Sequence, residues 1–147
     1  MNEIEPQQTC DPHQLLHGLL HSSKELELRL DAALATVGVS ATKWYALRHL
    51  AEAGGQLPLG QLAEKLSCVK SNATQLVDRL KSEKLVQRVP DAQDRRIILA
   101  ELTPAGYACY RAGLTVVQAF EDELVGNFQE AERLLLYKLL TRLGVLG

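Results

Sequence analysis

From residue 15 onward, leucines recur at helical spacing: Leu15, Leu16, Leu19, Leu20, Leu26, Leu30 and Leu34. Positions three and four apart share a helix face, so the stretch predicts an amphipathic helix with an apolar surface wider than one stripe at its beginning. Asp11 is a capping residue, Pro12 suits the first turn, and Gln14 stands at capping-box spacing. Gly38 marks the end. A second helix is predicted over residues 40–53, capped by Ser40, with Trp44, Leu47 and Leu50 inward and Gly54-Gly55 as its stop. Pro58 introduces a short helix over 59–66. The turn Ser67-Cys68-Val69 leads into another helix over 70–83. With Leu62, Ala63, Leu66, Ala73, Leu76, Val77 and Leu80 as the apolar positions, this pair reads as a helix-turn-helix.

The pattern then changes period. Residues 85–89 and 96–102 read as strands rich in β-branched and aliphatic residues, joined by the polar turn 90–95. Two strands around a charged turn, directly after a helix-turn-helix, make a β-hairpin wing. Thr103-Pro104 opens a helix expected to run to Val125 and stop at Gly126. Asn127 with Glu130 marks the start of a last helix over 129–143, which carries Leu134, Leu135, Leu136, Leu139, Leu140 and Leu143. The fold class is therefore mainly α with a small β-hairpin wing, a winged helix-turn-helix in one unit spanning 1–147. The winged part can close its own core. The helices at the two chain ends cannot, and the cheapest cover for their leucines is a second copy, giving a homodimer. On this division, residues 1–38 and 104–147 supply dimerisation helices and residues 40–103 the DNA-binding module.

Two groups of residues carry a family resemblance. One is Asp91-Ala92-Gln93-Asp94-Arg95-Arg96 followed by Leu102-Thr103-Pro104-Ala105-Gly106. It resembles the D-x-x-D-x-R wing and downstream L-T-x-x-G of the MarR (multiple antibiotic resistance regulator) family. The other is Leu62-Ala63-Glu64-Lys65-Leu66 with Leu76-Val77-Asp78-Arg79-Leu80, similar to that family's L-A-x-x-L and L-V-D-R-L. Lys84 departs from the pattern, since the family usually has Gly before its Leu-Val pair. The resemblance covers nearly the whole chain. It implies a dimeric regulator of transcription, a repressor in the first instance, that binds double-stranded DNA and is switched by a small ligand or by oxidation. It also implies that Asp94 and Arg96 form a buttressing pair in the wing, with Arg95 or Arg96 aimed at the DNA groove.

The candidate chemistry agrees with that reading. With Ala73, Leu76, Val77 and Leu80 inward, Ser71, Gln75 and Asp78 point away, flanked by Asn72, Thr74 and Arg79. Short hydroxyls and amides on a recognition helix reach base edges in the major groove, which suits Ser71, Asn72, Thr74 and Gln75. Lys70 and Arg79 suit phosphates. Arg95 and Arg96 suit a narrow minor groove with its enhanced negative potential. The chain's net charge of −2 excludes a uniformly basic nucleic-acid binder. Its distribution is more telling. Residues 60–103 carry eight Lys/Arg against six Asp/Glu, a net +2, while the preceding segment is −3 and the following one −1.

The input side is less defined. His21, Trp44 and Arg48 are candidates for a small aromatic or phenolic effector, as a polar tip, an aromatic wall and a carboxylate partner; Trp44 equally suits the core. His13 and His17 share a helix face with Cys10 and could ligate Zn²⁺, although no further ligand is obvious. Cys10, by exposure, and Cys68, beside the recognition helix, are the redox candidates, against the plainer reading of inert thiols. No cofactor is expected. The inventory lacks a phosphate-binding glycine loop, a nucleophile elbow and a metal-hydrolase motif, which argues against an enzyme. No signal-like or membrane-spanning stretch is visible, so a cytoplasmic protein without a membrane partner is expected. Two alternatives stay open: a metal-sensing regulator using the N-terminal His/Cys face, and a winged-helix protein-interaction module without DNA binding.

Overall fold

The computed structural model describes residues 11–67 and 70–144. These form α1 (Pro12–Ala35), α2 (Ala41–Glu52), β1 (Gln56–Pro58), α3 (Leu59–Lys65), α4 (Lys70–Ser82), β2 (Val86–Pro90), β3 (Ile98–Leu102), α5 (Pro104–Val125) and α6 (Glu130–Arg142). Most boundaries follow from local chemistry. The Asp11 carboxylate accepts from the backbone N–H of His13 at 3.1 Å, beside Pro12. Gly38 turns the chain at φ +78°, and the Val39 N–H returns to the Leu34 carbonyl. Ser40 caps α2, and Asp31 of α1 reaches across to accept from the Ala41 N–H at 2.6 Å. Gly54 and Gly55 close α2 at φ +84° and +104°.

The sheet has three antiparallel strands in the order β1-β3-β2. β1 was not expected from the sequence. It is three residues long, too short to show alternation, and it lies between Gly55 and the start of α3. It pairs Leu57 with Ala100 of β3 and so fastens the hairpin to the helices. β3 begins at Ile98, two residues later than expected, because the Ile97 N–H closes a tight turn on the Asp94 carbonyl at 2.9 Å. The start of α6 is also displaced. The Gln129 N–H donates to the Glu132 carboxylate at 2.8 Å, so the three-residue capping spacing falls at 129 and 132 instead of 127 and 130.

The core lies between α2, the helix pair α3–α4, the sheet and the middle of α5. Trp44, Leu47, Leu50, Leu62, Val77, Leu80 and Val86 are fully buried there, together with Leu34 from the end of α1. The Trp44 indole N–H donates to the Tyr110 carbonyl of α5 at 3.1 Å. Gly113 lets α5 come this close: a Cβ there would lie 2.2 Å from the indole ring. At the start of α5, the Thr103 hydroxyl donates to the Lys84 carbonyl at 2.7 Å and accepts from the Gly106 N–H at 3.0 Å. A Cβ on Gly106 would meet the Leu85 carbonyl oxygen at 2.0 Å. The L-T-x-x-G spacing is thus a close-contact joint between α5 and the first residue pair of the wing.

The two ends of the chain behave differently. From α1, only Leu30 and Leu34 are buried, and Arg29 crosses to Glu123 of α5 at 3.0 Å with its guanidinium over the Phe120 ring. Leu15, Leu16, Leu20 and Leu28 of α1 are exposed, as are Leu134, Leu135, Leu136, Tyr137 and Leu139 of α6, which contains no buried residue.

Lys84 occupies the left-handed position after α4, at φ +61°, where its N–H bonds the Lys81 carbonyl and the Leu85 N–H bonds the Leu80 carbonyl. An L side chain is strained there and glycine is not. Lys84→Gly is expected to raise unfolding stability by about 0.5–1 kcal/mol, the relief of strain exceeding the added unfolded-state entropy. Gly106→Ala, which forces a contact with backbone, is expected to lower it by about 1–3 kcal/mol. Urea midpoints at fixed protein concentration, with unchanged slopes, check both.

Candidate nucleic-acid interface

One face of α4 is spent on the core through Ala73, Leu76, Val77 and Leu80. The opposite face presents Ser71, Asn72, Gln75, Asp78 and Arg79 to solvent, with Thr74 half-buried at its edge. Lys70 is the first residue of the helix. Asn72, Gln75 and Arg79 share an open crevice of about 300 Å³ with Thr42 at the start of α2, Leu66 and Leu76. Amide and guanidinium groups therefore gather along this crevice, and no acidic residue among the described ones lines it.

The wing is built on carboxylate-to-backbone hydrogen bonds. Asp91 accepts from the N–H groups of Asp94 at 3.0 Å and Gln93 at 2.9 Å, and these two bonds hold its carboxyl below the ordinary carboxylate range. Asp94 accepts from the Arg96 N–H at 3.0 Å. The Asp91 N–H bonds the Ile97 carbonyl at 2.9 Å and closes the loop. Arg95 and Arg96 are left fully outward, the Arg96 side chain 94% exposed. The buttressing implied by the resemblance thus takes another form. The Arg96 guanidinium approaches Asp94 only at 3.8 Å, too long for a bidentate pair, and Asp94 instead fixes the backbone of Arg96. Asp91 stands first in the wing motif but has no role assigned there by the sequence; its signal is an Asp two and three residues before the N–H groups it binds.

Two further residues escaped the sequence reading. Arg88 of β2 donates to Asp78 of α4 at 2.8 Å, joining the wing to the candidate recognition helix. Lys43 of α2 is paired with Glu83 just beyond α4.

Of the candidate input residues, Trp44 and Arg48 are brought together and His21 is not. Trp44 is fully buried, with its N–H committed to Tyr110, so it is core and not an open wall. Arg48 lies over the Trp44 ring and bonds Glu52 at 2.7 Å. His21 is exposed on α1, and no contact among the described residues joins it to either. His13 and His17 meet edge to face at 4.7 Å between ring centroids, but no group of three metal-ligating residues occurs among the described residues. Cys10 and Cys68 lie outside the described residues. Cys109 packs against the core, and burial, with Glu83 adding to it, raises its thiol pKa and keeps it protonated.

The profile of the MarR family matches residues 37–97, from the end of α1 through the wing turn. The multiple antibiotic resistance protein MarR of Salmonella typhimurium (strain LT2) is 30% identical over 115 residues, 78% of this chain and 79% of that protein. The chain belongs to the MarR family. The fold agrees with that of MarR itself. A cysteine-to-serine mutant of E. coli MarR complexed with operator DNA superposes with a TM-score of 0.79 at 26% identity, covering 87% of this chain and 92% of that one. The uncharacterized HTH-type regulator YsmB of Bacillus subtilis is 30% identical over 89 residues, and the match spans 61% of its length. MarR-family proteins are transcription regulators, and the winged helix described above is their DNA-binding fold. No helix among the described residues is long and apolar enough to cross a membrane.

The lowered carboxyl pKa of Asp91 gives the wing a pH dependence of definite sign. Its stabilisation of the turn is complete above the unfolded-state value and is lost as pH falls through the lower folded value. The amide resonances of Gln93 and Asp94 are therefore expected to keep their positions down to pH below the usual carboxylate range. Asp91→Asn should abolish that transition, and an NMR titration of both proteins checks it.

Proposed function

We propose that this MarR-family chain is a dimeric, sequence-specific repressor that binds a palindromic operator, and that a small effector releases it. The observation that carries the reading is the pairing of an exposed polar face on α4 with two outward arginines in the wing, within a net-positive module of an otherwise acidic chain. In this reading Ser71, Asn72, Thr74 and Gln75 contact base edges in the major groove. Lys70 and Arg79 contact phosphates, and Arg95 and Arg96 enter the minor groove from a turn fixed by Asp91 and Asp94. The operator complex of the related E. coli protein supports it.

Residues 1–38 and 104–147 form the dimerisation stem, and 40–103 the reading head. The exposed leucines of α1 and α6 support this division, because a single chain leaves them in water at a cost of roughly 25 cal/mol per Å². The effector is a small aromatic or phenolic molecule taken up beside Arg48, between the stem and the head. The protein acts in the cytoplasm, where its DNA lies.

Selection of bound sequences from a random DNA pool is expected to return a palindrome with half-sites about one helical turn apart. Sedimentation should give twice the monomer mass. Arg96→Ala is expected to weaken binding and to reduce the slope of log affinity against log salt by about 1, with stability unchanged. An unselective pool, or a salt slope identical in the variant, would overturn the reading.

A further inference from the structure

Arg88 stands at the root of the wing, two residues before β2 ends at Pro90, with Ala100 of β3 as its register partner. Its guanidinium turns back onto α4. One terminal nitrogen, Nη2, donates to Asp78 at 2.8 Å and approaches the Thr74 carbonyl at 3.5 Å. Thr74 and Asp78 are one helical turn apart, so a single nitrogen addresses a full turn of the candidate recognition helix. The Arg88 Nε is buried without a hydrogen-bond partner. The head of this side chain is thus held by packing and by Asp78, on a strand that continues directly into the turn carrying Arg95 and Arg96.

We propose that Arg88, through Asp78, is the positioning residue that sets the angle of the wing to α4; the inference rests on the DNA-binding reading above. A recognition helix and a wing occupy neighbouring grooves, and both can be engaged at once only when their separation is held beforehand. A hinged wing would instead have to be ordered on binding, at a cost in affinity. The tie also explains an acidic residue on the DNA-facing side of α4. Asp78 is neutralised from within the fold, so it need not repel phosphate.

The competing role, Arg88 as a plain phosphate ligand, predicts the opposite result for Asp78. Removing a negative charge from α4 would then tighten binding, whereas cutting a tie weakens it. The test uses the full-length protein on DNA selected from a random pool, by fluorescence anisotropy. It also includes ¹⁵N relaxation of the wing amides, residues 91–97, without DNA. Asp78→Asn and Arg88→Ala are each expected to weaken binding by about tenfold with unchanged circular dichroism, and Arg88→Lys to recover part of the loss. In an Arg96→Ala background, Arg88→Ala should cost less than about twofold, because the two act through the same wing. In the free Asp78→Asn protein the wing amides should become more mobile while those of α5 do not. Binding by Asp78→Asn as tight as or tighter than the wild type overturns the proposal, as does an equally ordered wing. If the wild-type protein selects no DNA, the functional reading fails, and the relaxation data alone still decide for or against the tie.

Discussion

The joint at Thr103 and Gly106 is the contact on which the rest of the molecule depends. Here the hydroxyl of one threonine ties the carbonyl that ends the α4 turn to the Gly106 N–H in the first turn of α5, and a missing side chain lets the Leu85 carbonyl touch the helix. Here the chain passes from β3 of the sheet into α5. A cap ordinarily contributes about 1 kcal/mol to a helix end. This one also decides the direction in which the 22 residues of α5 leave the sheet. The second joint, Trp44 against Gly113, then fixes the same helix two turns further on. Together they make α2, the sheet and the first half of α5 one packed body.

Outside that body the physics changes. α6 and the first half of α1 contain no fully buried residue, and Leu140 and Leu19 are their half-buried leucines. A leucine left in water gains no hydrophobic stabilisation, so these segments add little to the core of the single chain. Net charge divides along the chain as well, with the positive share in residues 60–103 and the acidic share in the segments before and after. A total near zero conceals both facts.

Much of this was legible in the sequence. Helix starts were written in Asp11-Pro12, Ser40 and Thr103-Pro104, and helix ends in Gly38 and Gly54-Gly55, because caps and left-handed turns are local chemistry. The polar face of α4 could be read because its period is fixed by the buried residues between. What escaped depended on distance or on brevity. β1 has three residues and no readable alternation. Arg88 and Asp78 are ten positions apart on different elements, and nothing in either neighbourhood marks them as partners. Trp44 could be read as pocket or core, and only the glycine facing it across the fold decides for core. In the wing the Asp94–Arg96 pair is a long contact at 3.8 Å, and the carboxylates of Asp91 and Asp94 serve backbone N–H groups at shorter range, which composition does not show.

The length of α5 has a mechanical meaning. Twenty-two residues span about 33 Å at 1.5 Å per residue. The helix is clamped to the head at one end and, through Arg29, Glu123 and Phe120, to α1 at the other. A tilt of about 3° at the stem end therefore displaces the far end by about 2 Å, several times the latitude of a hydrogen bond. A small change of packing where α5 meets α1 is thereby geared up into a larger displacement where it meets the sheet, so the helix is a lever as well as a support.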